Sequence, residues 1–253
     1  MKITFLGTGT SQGVPVIGCN CEVCTSPDKH DKRLRSSVWI ETPEASIVVD
    51  TGPDFRYQAL RAKLQPLDAV VFTHGHKDHV AGMDDIRAYN FFQQKAMDVY
   101  ATLETQSVIR REFSYIFDNP NYPGIPQVNM HRIANEPFEI NGLQIVPVRV
   151  LHYQLEVFGF RIGDFTYITD ANYIAPEEME KIKGSKVLVL NALRHEPHIS
   201  HFTLEEAVAV ARAAGVEQTY FTHISHQLGL HKVLNQELPQ GMALAYDGLV
   251  LDM

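Results

Sequence analysis

The chain has 253 residues, of which 45% are hydrophobic and 21% charged, and its formal net charge is −8. This charge argues against nucleic acid and anionic membranes as partners, because both bind basic surfaces. The first apolar run is too short for a signal peptide and no later run reaches the length of a membrane span, so we expect a cytoplasmic protein without a membrane partner.

Short β-type runs recur along the chain and alternate with helical patterns. The β-type runs begin at Ile3, Ser37, Ser46, Asp68, Asp98, Leu143, Phe165, Lys186 and Gln218. The helical patterns cover Asp54–Leu64, Leu103–Phe117 and Thr203–Ala214. In the last of these, Thr203 and Glu206 predict a capping box and Gly215 predicts a helix stop. The tail from Met242 predicts a β-hairpin that turns at Asp247-Gly248.

The spacing of these elements indicates one domain. The loop Asp118–Gln127 is rich in Pro, Asn and Gly, but its ten residues make a surface loop rather than a domain boundary. Many strands with helices between them are typical of an α/β protein. The sequence therefore predicts a single α/β domain that covers residues 1–253.

All three cysteines of the chain lie close together, at Cys19, Cys21 and Cys24. In a reducing compartment, clustered cysteines are more often metal ligands than disulfide partners. Three thiolates are one ligand short of a tetrahedral zinc site. If these cysteines bind zinc, a fourth ligand must come from elsewhere in the sequence.

The segment His74-Gly75-His76-Lys77-Asp78-His79 follows a buried strand and carries the strongest functional signal. Three imidazoles and a carboxylate are costly to bury without a partner, and a metal ion is the usual partner. His74 and His76 are expected to project to one side, whereas Asp78 and His79 reach a neighbouring position. This arrangement predicts two adjacent metal ions.

Two adjacent ions need more ligands than this loop supplies. Three candidates each follow a β-type run, namely His152, Asp170 and His223. Asp170 is the candidate for a shared ligand, because a carboxylate can bridge two metals. A residue such as Asp170 at a strand end is also compatible with a helix cap or a turn.

These motifs resemble the metallo-β-lactamase superfamily. The segments TFLGTGTSQGVP, VVDTGPDFR, GMDDIR and HFTLEEA add a resemblance to its PhnP-type phosphodiesterase branch, with the tRNA 3′-processing endonucleases as more distant relatives. The resemblance implies an αββα four-layer sandwich with a dinuclear site at one edge. One ion would take His74, His76 and His152, the other would take Asp78, His79 and His223, and Asp170 would bridge them.

The same resemblance supplies a fourth ligand for the cysteines. In PhnP-type proteins a Cys-x-Cys-x-x-Cys cluster binds a structural zinc, together with a histidine three residues after the last catalytic one. Here that position is His226, in the segment THISH. A structural zinc on Cys19, Cys21, Cys24 and His226 would tie the amino-terminal loop to the rim of the active site.

Catalytic roles are predicted for His201 and Asp78. Two metal ions would lower the pKa of a shared water and hold hydroxide beneath a phosphorus, and the leaving alkoxide then needs a proton. The run His201-Phe202-Thr203 matches the H-x-T element that places a general acid beside the metals in the phosphodiesterase branch. His195 and His198 are rivals for this role.

Four further residues are expected near the site. Asp50 is predicted to orient the histidine loop from behind, although it could equally be a buried turn former. Arg35, Arg87 and Arg194 are candidates for binding phosphate, because a guanidinium pairs well with phosphate oxygens. An ion pair within the fold is an equally good interpretation of each arginine.

Together these features predict a metal-dependent hydrolase of a small or cyclic phosphodiester, with two divalent ions, Mn or Zn, and one structural Zn. The alternatives are a tRNase Z-like endonuclease, a thioester hydrolase and a non-catalytic zinc-stabilised module. The sequence contains no basic, Gly-rich insertion of the kind that grips tRNA. The resemblance leaves a homodimer open.

Overall fold

The computed structural model describes residues 1–118 and 124–253, which form two β-sheets packed face to face. The strands are β1 (Lys2–Gly7), β2 (Ser37–Glu41), β3 (Ser46–Val49), β4 (Ala69–Val71), β5 (Met97–Ala101), β6 (Val128–Arg132), β7 (Phe138–Ile140), β8 (Leu143–His152), β9 (Leu155–Ile162), β10 (Phe165–Tyr167), β11 (Tyr173–Ile174), β12 (Val187–Asn191), β13 (Gln218–Thr222), β14 (Met242–Leu244) and β15 (Val250–Asp252). The helices are α1 (Glu22–Thr25), α2 (Phe55–Ala62), α3 (Lys77–Val80), α4 (Arg87–Gln93), α5 (Leu103–Glu112), α6 (Ser114–Asp118), α7 (Pro176–Ile182), α8 (Leu204–Ala214) and α9 (His231–Glu237).

The first sheet has the strand order β15-β1-β2-β3-β4-β5-β6, and the second has the order β11-β8-β9-β10-β12-β13-β14 with β7 beside β8. Strand alternation explains how the layers pack. In β3, Ile47 and Val49 face the second sheet, whereas Val48 faces outward and packs with Phe55 of α2. Helices thus cover the outer face of each sheet, which confirms the predicted αββα sandwich.

Most of the predicted elements are present, and the best defined is α8. The side chain of Thr203 accepts a hydrogen bond from the Glu206 amide, the Glu206 carboxylate accepts one from the Thr203 amide, and Gly215 ends the helix with φ of 65°. The predicted helix over 103–117 is instead two helices. They separate at Phe113, which leaves the helical conformation and packs against the core of the first sheet.

The predicted carboxy-terminal hairpin is wrong. β14 pairs parallel with β13 in the second sheet, whereas β15 pairs antiparallel with β1 in the first sheet. Asp247, at the predicted turn, is held by Thr8 Oγ1 at 2.8 Å and by the Leu34 amide at 2.8 Å. The turn therefore carries the chain from the second sheet to the first, and its aspartate is bonded to the amino-terminal segment.

None of the described helices is long and apolar enough to cross a membrane. Residues 119–123 of the predicted loop Asp118–Gln127 lie outside the described residues. The strands β6, β7, β9 and β11 and the helices α1, α3, α4, α7 and α9 were not predicted from the pattern.

A buried polar network joins the amino-terminal segment to the carboxy-terminal one. Arg33 donates to Thr8 Oγ1 at 2.8 Å, to the Ala245 carbonyl at 2.6 Å and to His231 Nδ1 at 3.1 Å. The amide of His231 donates to Asp31 at 2.8 Å. Because Nδ1 accepts from a guanidinium, His231 is held in its neutral form, and burial together with Arg33 lowers the pKa of His231 to about 4.

This network predicts a pH dependence of stability. A histidine whose folded pKa lies below its unfolded value stabilises the fold fully above the unfolded pKa, and loses that contribution as the pH falls. The pH window for His231 runs from the unfolded pKa of about 6.5 down to the folded pKa of about 4. His231→Gln should therefore flatten the fall in the free energy of unfolding between those values, measured by urea titration. The exposed His195→Gln is the control, and equal slopes for the native protein and His231→Gln would contradict the prediction.

Candidate metal centre

Strands from both sheets end at one edge of the sandwich, and the predicted ligands follow those ends. β3 and β4 are parallel in the first sheet, so Asp50 and the histidine loop lie side by side. In the second sheet β8 and β10 are both antiparallel to β9, and β10, β12 and β13 are mutually parallel. His152, Asp170 and His223 therefore meet the histidine loop at the same edge.

Two glycines let the histidine loop approach the end of β3. A Cβ on Gly52 would lie 2.2 Å from the Asp78 carbonyl oxygen, and a Cβ on Gly82 would lie 2.1 Å from the Gly52 carbonyl oxygen. The backbones of the β3–α2 connection and of α3 thus touch directly. This close packing places His79, in the first turn of α3, against the carboxylate of Asp50.

The first group of candidate ligands consists of His74, His76 and His152, whose ring nitrogens lie within 4.8 Å of one another. His74 Nε2 is 2.9 Å from His76 Nδ1. His152 Nδ1 lies 2.8 Å from the Ser200 carbonyl, to which it donates, so its Nε2 is free to bind a metal. The predicted three-histidine set is therefore brought together.

The second group consists of Asp78, His79, Asp170 and His223, again with ligand atoms within 4.8 Å of one another. His79 Nε2 is 3.2 Å from an oxygen of Asp78 and 3.2 Å from an oxygen of Asp170. His223 Nδ1 is 3.3 Å from Asp170. Asp170 also lies within 4.8 Å of His152 and His201, so among the described residues it is the carboxylate that joins ligands of both groups, as predicted for the shared position.

Residues behind the ligands hold their rings in place. Asp50 is completely buried and accepts from His79 Nδ1 at 2.7 Å, from the Thr73 amide at 2.9 Å and from Thr73 Oγ1 at 2.8 Å. Thr73 Oγ1 is also 3.0 Å from His74 Nδ1. Asp50 therefore contacts the histidine loop as expected, and it orients His79 so that Nε2 points at the carboxylates.

Three hydroxyl groups that contact the ligands were not predicted from the sequence. Thr73 contacts His74, Thr169 Oγ1 donates to Asp170 at 2.7 Å, and Ser36 Oγ is 3.2 Å from His223 Nδ1. Thr73 and Thr169 each directly precede a predicted ligand, which is a usable signal. Ser36 is far from His223 in sequence, so the sequence gives no signal of this contact.

Three site residues adopt left-handed backbone conformations that non-glycine residues rarely take. The φ angles are 63° at Asp50, 54° at Asp170 and 55° at His223. Each follows the end of a strand, where the chain must turn sharply to aim the side chain into the site. Strain of this kind is concentrated at functional sites, because surrounding contacts hold it in place.

The site contains more buried negative charge than a protein interior normally tolerates. Burial alone would lower the pKa of His79, but the carboxylates of Asp170, Asp50 and Asp78 hold it well above its ordinary value. Burial likewise opposes ionisation of Asp170, yet His223 and His79 hold its pKa well below the ordinary value. A protonated His79 thus balances ionised carboxylates around it.

The donor set fits divalent metal ions. The buried His79 Nε2 has two carboxylate oxygens at 3.2 Å but no aligned hydrogen bond, and the buried His201 Nδ1 has no hydrogen-bond partner. Buried nitrogens that face carboxylate oxygens without an aligned hydrogen bond suit a cation, which on binding would replace the proton on His79 Nε2. Imidazole and carboxylate ligands suit Zn and Mn alike, so the residues are compatible with either.

The cysteine cluster is a separate candidate site. The sulfurs of Cys19, Cys21 and Cys24 and a ring nitrogen of His226 lie within 4.8 Å of one another. His226 Nδ1 is 3.4 Å from Cys19 Sγ and 3.3 Å from Cys21 Sγ, and this contact lowers the pKa of Cys21 to about 6. A Cys3His set of this size fits one tetrahedral zinc.

His201 lies beside both ligand groups. Its ring centroid is 4.5 Å from that of His152 and 4.9 Å from that of His223, and its Nδ1 is 3.9 Å from Asp170. Of its rivals, His198 is half-buried with its ring centroid 5.1 Å from that of His201, whereas His195 is exposed. His201 also falls within 4.8 Å of His152 and Asp170, so it has the position of a metal ligand as well as of a proton donor.

The three candidate arginines bond to the protein itself. Arg35 pairs with Asp54 at 3.2 Å, and Arg87 lies 3.7 Å from Asp84 and donates to the Gly124 carbonyl at 3.2 Å. Arg194 donates to Gln227 at 2.9 Å and to two carbonyls of its own loop. Intramolecular bonds therefore account for all three, and phosphate binding stays a prediction.

The chain is similar in sequence and structure to known proteins of one family. Residues 45–224 match the family model "Beta-lactamase superfamily domain". A crystal structure of a diphosphatase from the PhnP family is 44% identical, has a TM-score of 0.93 and is matched over 100% of this chain and 97% of its own. Zn²⁺-bound PqqB from Methylobacterium extorquens, at 19% identity over 100% of both chains and a TM-score of 0.80, shares the fold.

One curated relative has a different name. An octanoyltransferase of Porphyromonas gingivalis strain W83 is 40% identical over 252 residues, which is 98% of this chain but 51% of the relative. The chain thus spans about half the length of that relative. The name describes a protein about twice as long, so the match does not assign transferase activity to the shared half.

The two kinds of candidate site predict different responses to mutation. Asp170→Asn should lower the content of divalent ions bound by the histidine and aspartate groups and leave the zinc predicted for the cysteine cluster unchanged, because Asp170 is not part of that cluster. Cys21→Ser should lower the zinc content of the cysteine cluster and leave the divalent ions of the histidine and aspartate groups unchanged. Elemental analysis after dialysis measures both, with the surface variant Asp164→Asn as control. Unchanged metal content in Asp170→Asn would contradict the proposed ligand set.

A second prediction concerns Asp50. Asp50→Asn should weaken binding of divalent ions by about 10- to 100-fold, since residues that orient a metal-binding histidine typically have effects of this size. Competition with a fluorescent chelator measures the affinity. Asp98→Asn is the matched control, because Asp98 also bonds to a histidine, His131, at 2.8 Å but on the surface. Equal affinities in the two variants would show that Asp50 has no orienting role.

Proposed function

This chain belongs to the beta-lactamase superfamily and, within it, to the PhnP-like proteins, and from that premise we propose that it is a metal-dependent hydrolase of a small or cyclic phosphodiester. The single observation that carries the proposal is the position of His201, next to both groups of candidate ligands. A hydrolysed diester releases an alkoxide, which needs a proton from a group held at this place.

The metals and the protein would have separate tasks. Two divalent ions, when bound, would supply an activated water and neutralise charge on the phosphoryl oxygens. The protein's own residues would orient the reactants. Asp50 aims His79, the Ser200 carbonyl fixes the ring of His152, and Asp78 and Asp170 balance the charge of the site.

His201 would move the proton. Its ring is buried, and burial lowers the pKa of His201 to about 3 in the free protein. A phosphate anion bound beside the ring would favour the protonated form and raise that pKa, whereas divalent ions in the ligand groups would oppose protonation. Proton donation by His201 would thus depend on bound substrate.

A second candidate is hydrolysis of a phosphoanhydride. The similar PhnP-family crystal structure is that of a diphosphatase, and it is 44% identical to this chain. The phosphate released from an anhydride is a much weaker base than an alkoxide. The two candidate functions therefore differ in how much they need a proton donor.

Three weaker alternatives concern other substrate classes. Cleavage of tRNA would fit poorly with a net charge of −8. A thioester hydrolase would share the metal ligands but would have no evident need for His201. Octanoyl transfer is suggested by the name of the longer relative from Porphyromonas gingivalis. All three belong in the same assay as the phosphodiesters.

The leaving group provides the decisive test. Protein loaded with Mn²⁺ or Zn²⁺ would be assayed with bis(p-nitrophenyl) phosphate, ribose cyclic phosphates, a nucleoside diphosphate compound, an octanoyl thioester and a precursor tRNA. His201→Ala should slow cyclic-phosphate hydrolysis by about 10²- to 10⁴-fold, the usual contribution of a general acid. The loss with the p-nitrophenyl diester should be smaller, because p-nitrophenolate leaves without a proton.

Other outcomes have distinct meanings. Equal losses on both diesters, with lower metal content, would make His201 a metal ligand rather than a proton donor. Turnover of the diphosphate compound alone would replace the diester proposal with the second candidate. Cleavage of only the thioester or the tRNA would overturn both. The surface variant Glu205→Gln of α8 is the control.

A further inference from the structure

The loop between β12 and α8 forms one rim of the candidate metal centre. Its residues 195–197 and Ile199 are exposed, whereas Ser200 and His201 are buried. The Ser200 carbonyl accepts from His152 Nδ1 at 2.8 Å, and Ser200 Oγ is 3.3 Å from His198 Nδ1. The position of this loop therefore determines how His152 presents Nε2 to the other histidines of its ligand group.

Arg194 holds the start of this loop. Its Nε donates to the Glu196 carbonyl at 3.1 Å and its Nη2 donates to the Pro197 carbonyl at 3.0 Å. Its Nη1 donates to Gln227 Oε1 at 2.9 Å. One guanidinium thus bonds the loop to itself and to a separate segment of the chain.

The segment that receives Arg194 contains the cysteine cluster's histidine. Gln227 directly follows His226, whose Nδ1 is 3.3 Å from Cys21 Sγ. The amide of Ser225 donates to the Leu193 carbonyl at 3.0 Å, which pairs the two backbones just before the side-chain bond. A continuous path of bonded residues runs from the cysteine cluster through Gln227 and Arg194 to the rim loop.

From this path we infer that Arg194 and Gln227 are positioning residues for the candidate metal centre. They fix the rim loop so that the Ser200 carbonyl orients His152, and they join that loop to the segment anchored by the cysteine cluster. The loop's part in hydrolysis rests on the proposed function, whereas its part in metal binding does not. We call the bonds from Arg194 to the rim loop and to Gln227 the clamp. In this inference Arg194 positions the loop and does not primarily bind phosphate.

The test compares acceptors at position 227. Gln227→Met removes the oxygen that accepts from Arg194, whereas Gln227→Glu keeps it. Metal-depleted protein would be titrated calorimetrically with Mn²⁺, which thiolate sites bind poorly, so the titration reports the histidine and aspartate groups. Gln227→Met and Arg194→Met should each weaken Mn²⁺ binding by about 10-fold or more, the lower end of the usual effect of orienting residues. Gln227→Glu should bind as the native protein does.

The double variant checks that the two residues act together. Arg194→Met with Gln227→Met should bind Mn²⁺ no more weakly than Arg194→Met alone, because the same clamp is already lost. Glu196→Gln is the control, since Arg194 contacts its carbonyl and not its side chain. The Gln227 pair keeps the test informative if Arg194→Met fails to fold.

Several results would overturn the inference. Unchanged Mn²⁺ affinity in Gln227→Met, or equal weakening in Gln227→Met and Gln227→Glu, would exclude the clamp. An Arg194→Met variant with native Mn²⁺ affinity but a raised KM would make Arg194 a substrate-binding residue instead. Because the titration needs no substrate, a failure of the proposed function would leave this result interpretable.

Discussion

The hydrogen bonds to the buried carboxylate of Asp50 are the constraint on which the metal centre depends. Asp50 follows β3 in a left-handed conformation and accepts from His79 and from both donors of Thr73. Since Thr73 in turn contacts His74, one carboxylate orients a member of each ligand group. The parallel pairing of β3 with β4 brings Asp50 and the histidine loop to the same edge, and the glycines at 52 and 82 let the two backbones touch.

Charge balance explains why these residues are buried together. Asp50, Asp78 and Asp170 converge on His79, and without a cation a proton on that histidine is the nearest compensating charge. A buried carboxylate that lacks a partner is costly, so the group is stable only when positive charge is present. This need for positive charge destabilises the fold when the charge is absent, and it also favours the binding of divalent ions.

The amino-terminal segment connects the site to the rest of the fold. Its cysteines meet His226 just after β13, Ser36 contacts His223, and Arg33 joins His231 and the Ala245 carbonyl. Each contact joins residues that are about 200 positions apart in sequence. Through Arg194 and Gln227 the same region reaches the rim loop. The candidate metal centre is therefore supported from the amino-terminal segment, the carboxy-terminal third and both sheets.

Sequence alone determined much of what depends on near neighbours. It predicted many of the strands and helices, the capped α8, and the histidine loop, whose six-residue spacing sets its own local geometry. Their position after β-type runs made His152, Asp170 and His223 candidate ligands, and the resemblance to known proteins assigned them to two ions and added His226 as a zinc ligand. Only the tertiary structure decided that Asp247 carries the chain between sheets, that Ser36, Thr73 and Thr169 contact the ligands, and that Arg194 bonds to Gln227. The contacts of Asp247, Ser36 and Arg194 depend on strand register and on how the two sheets pack, and they join residues far apart in the chain, so no local pattern records them.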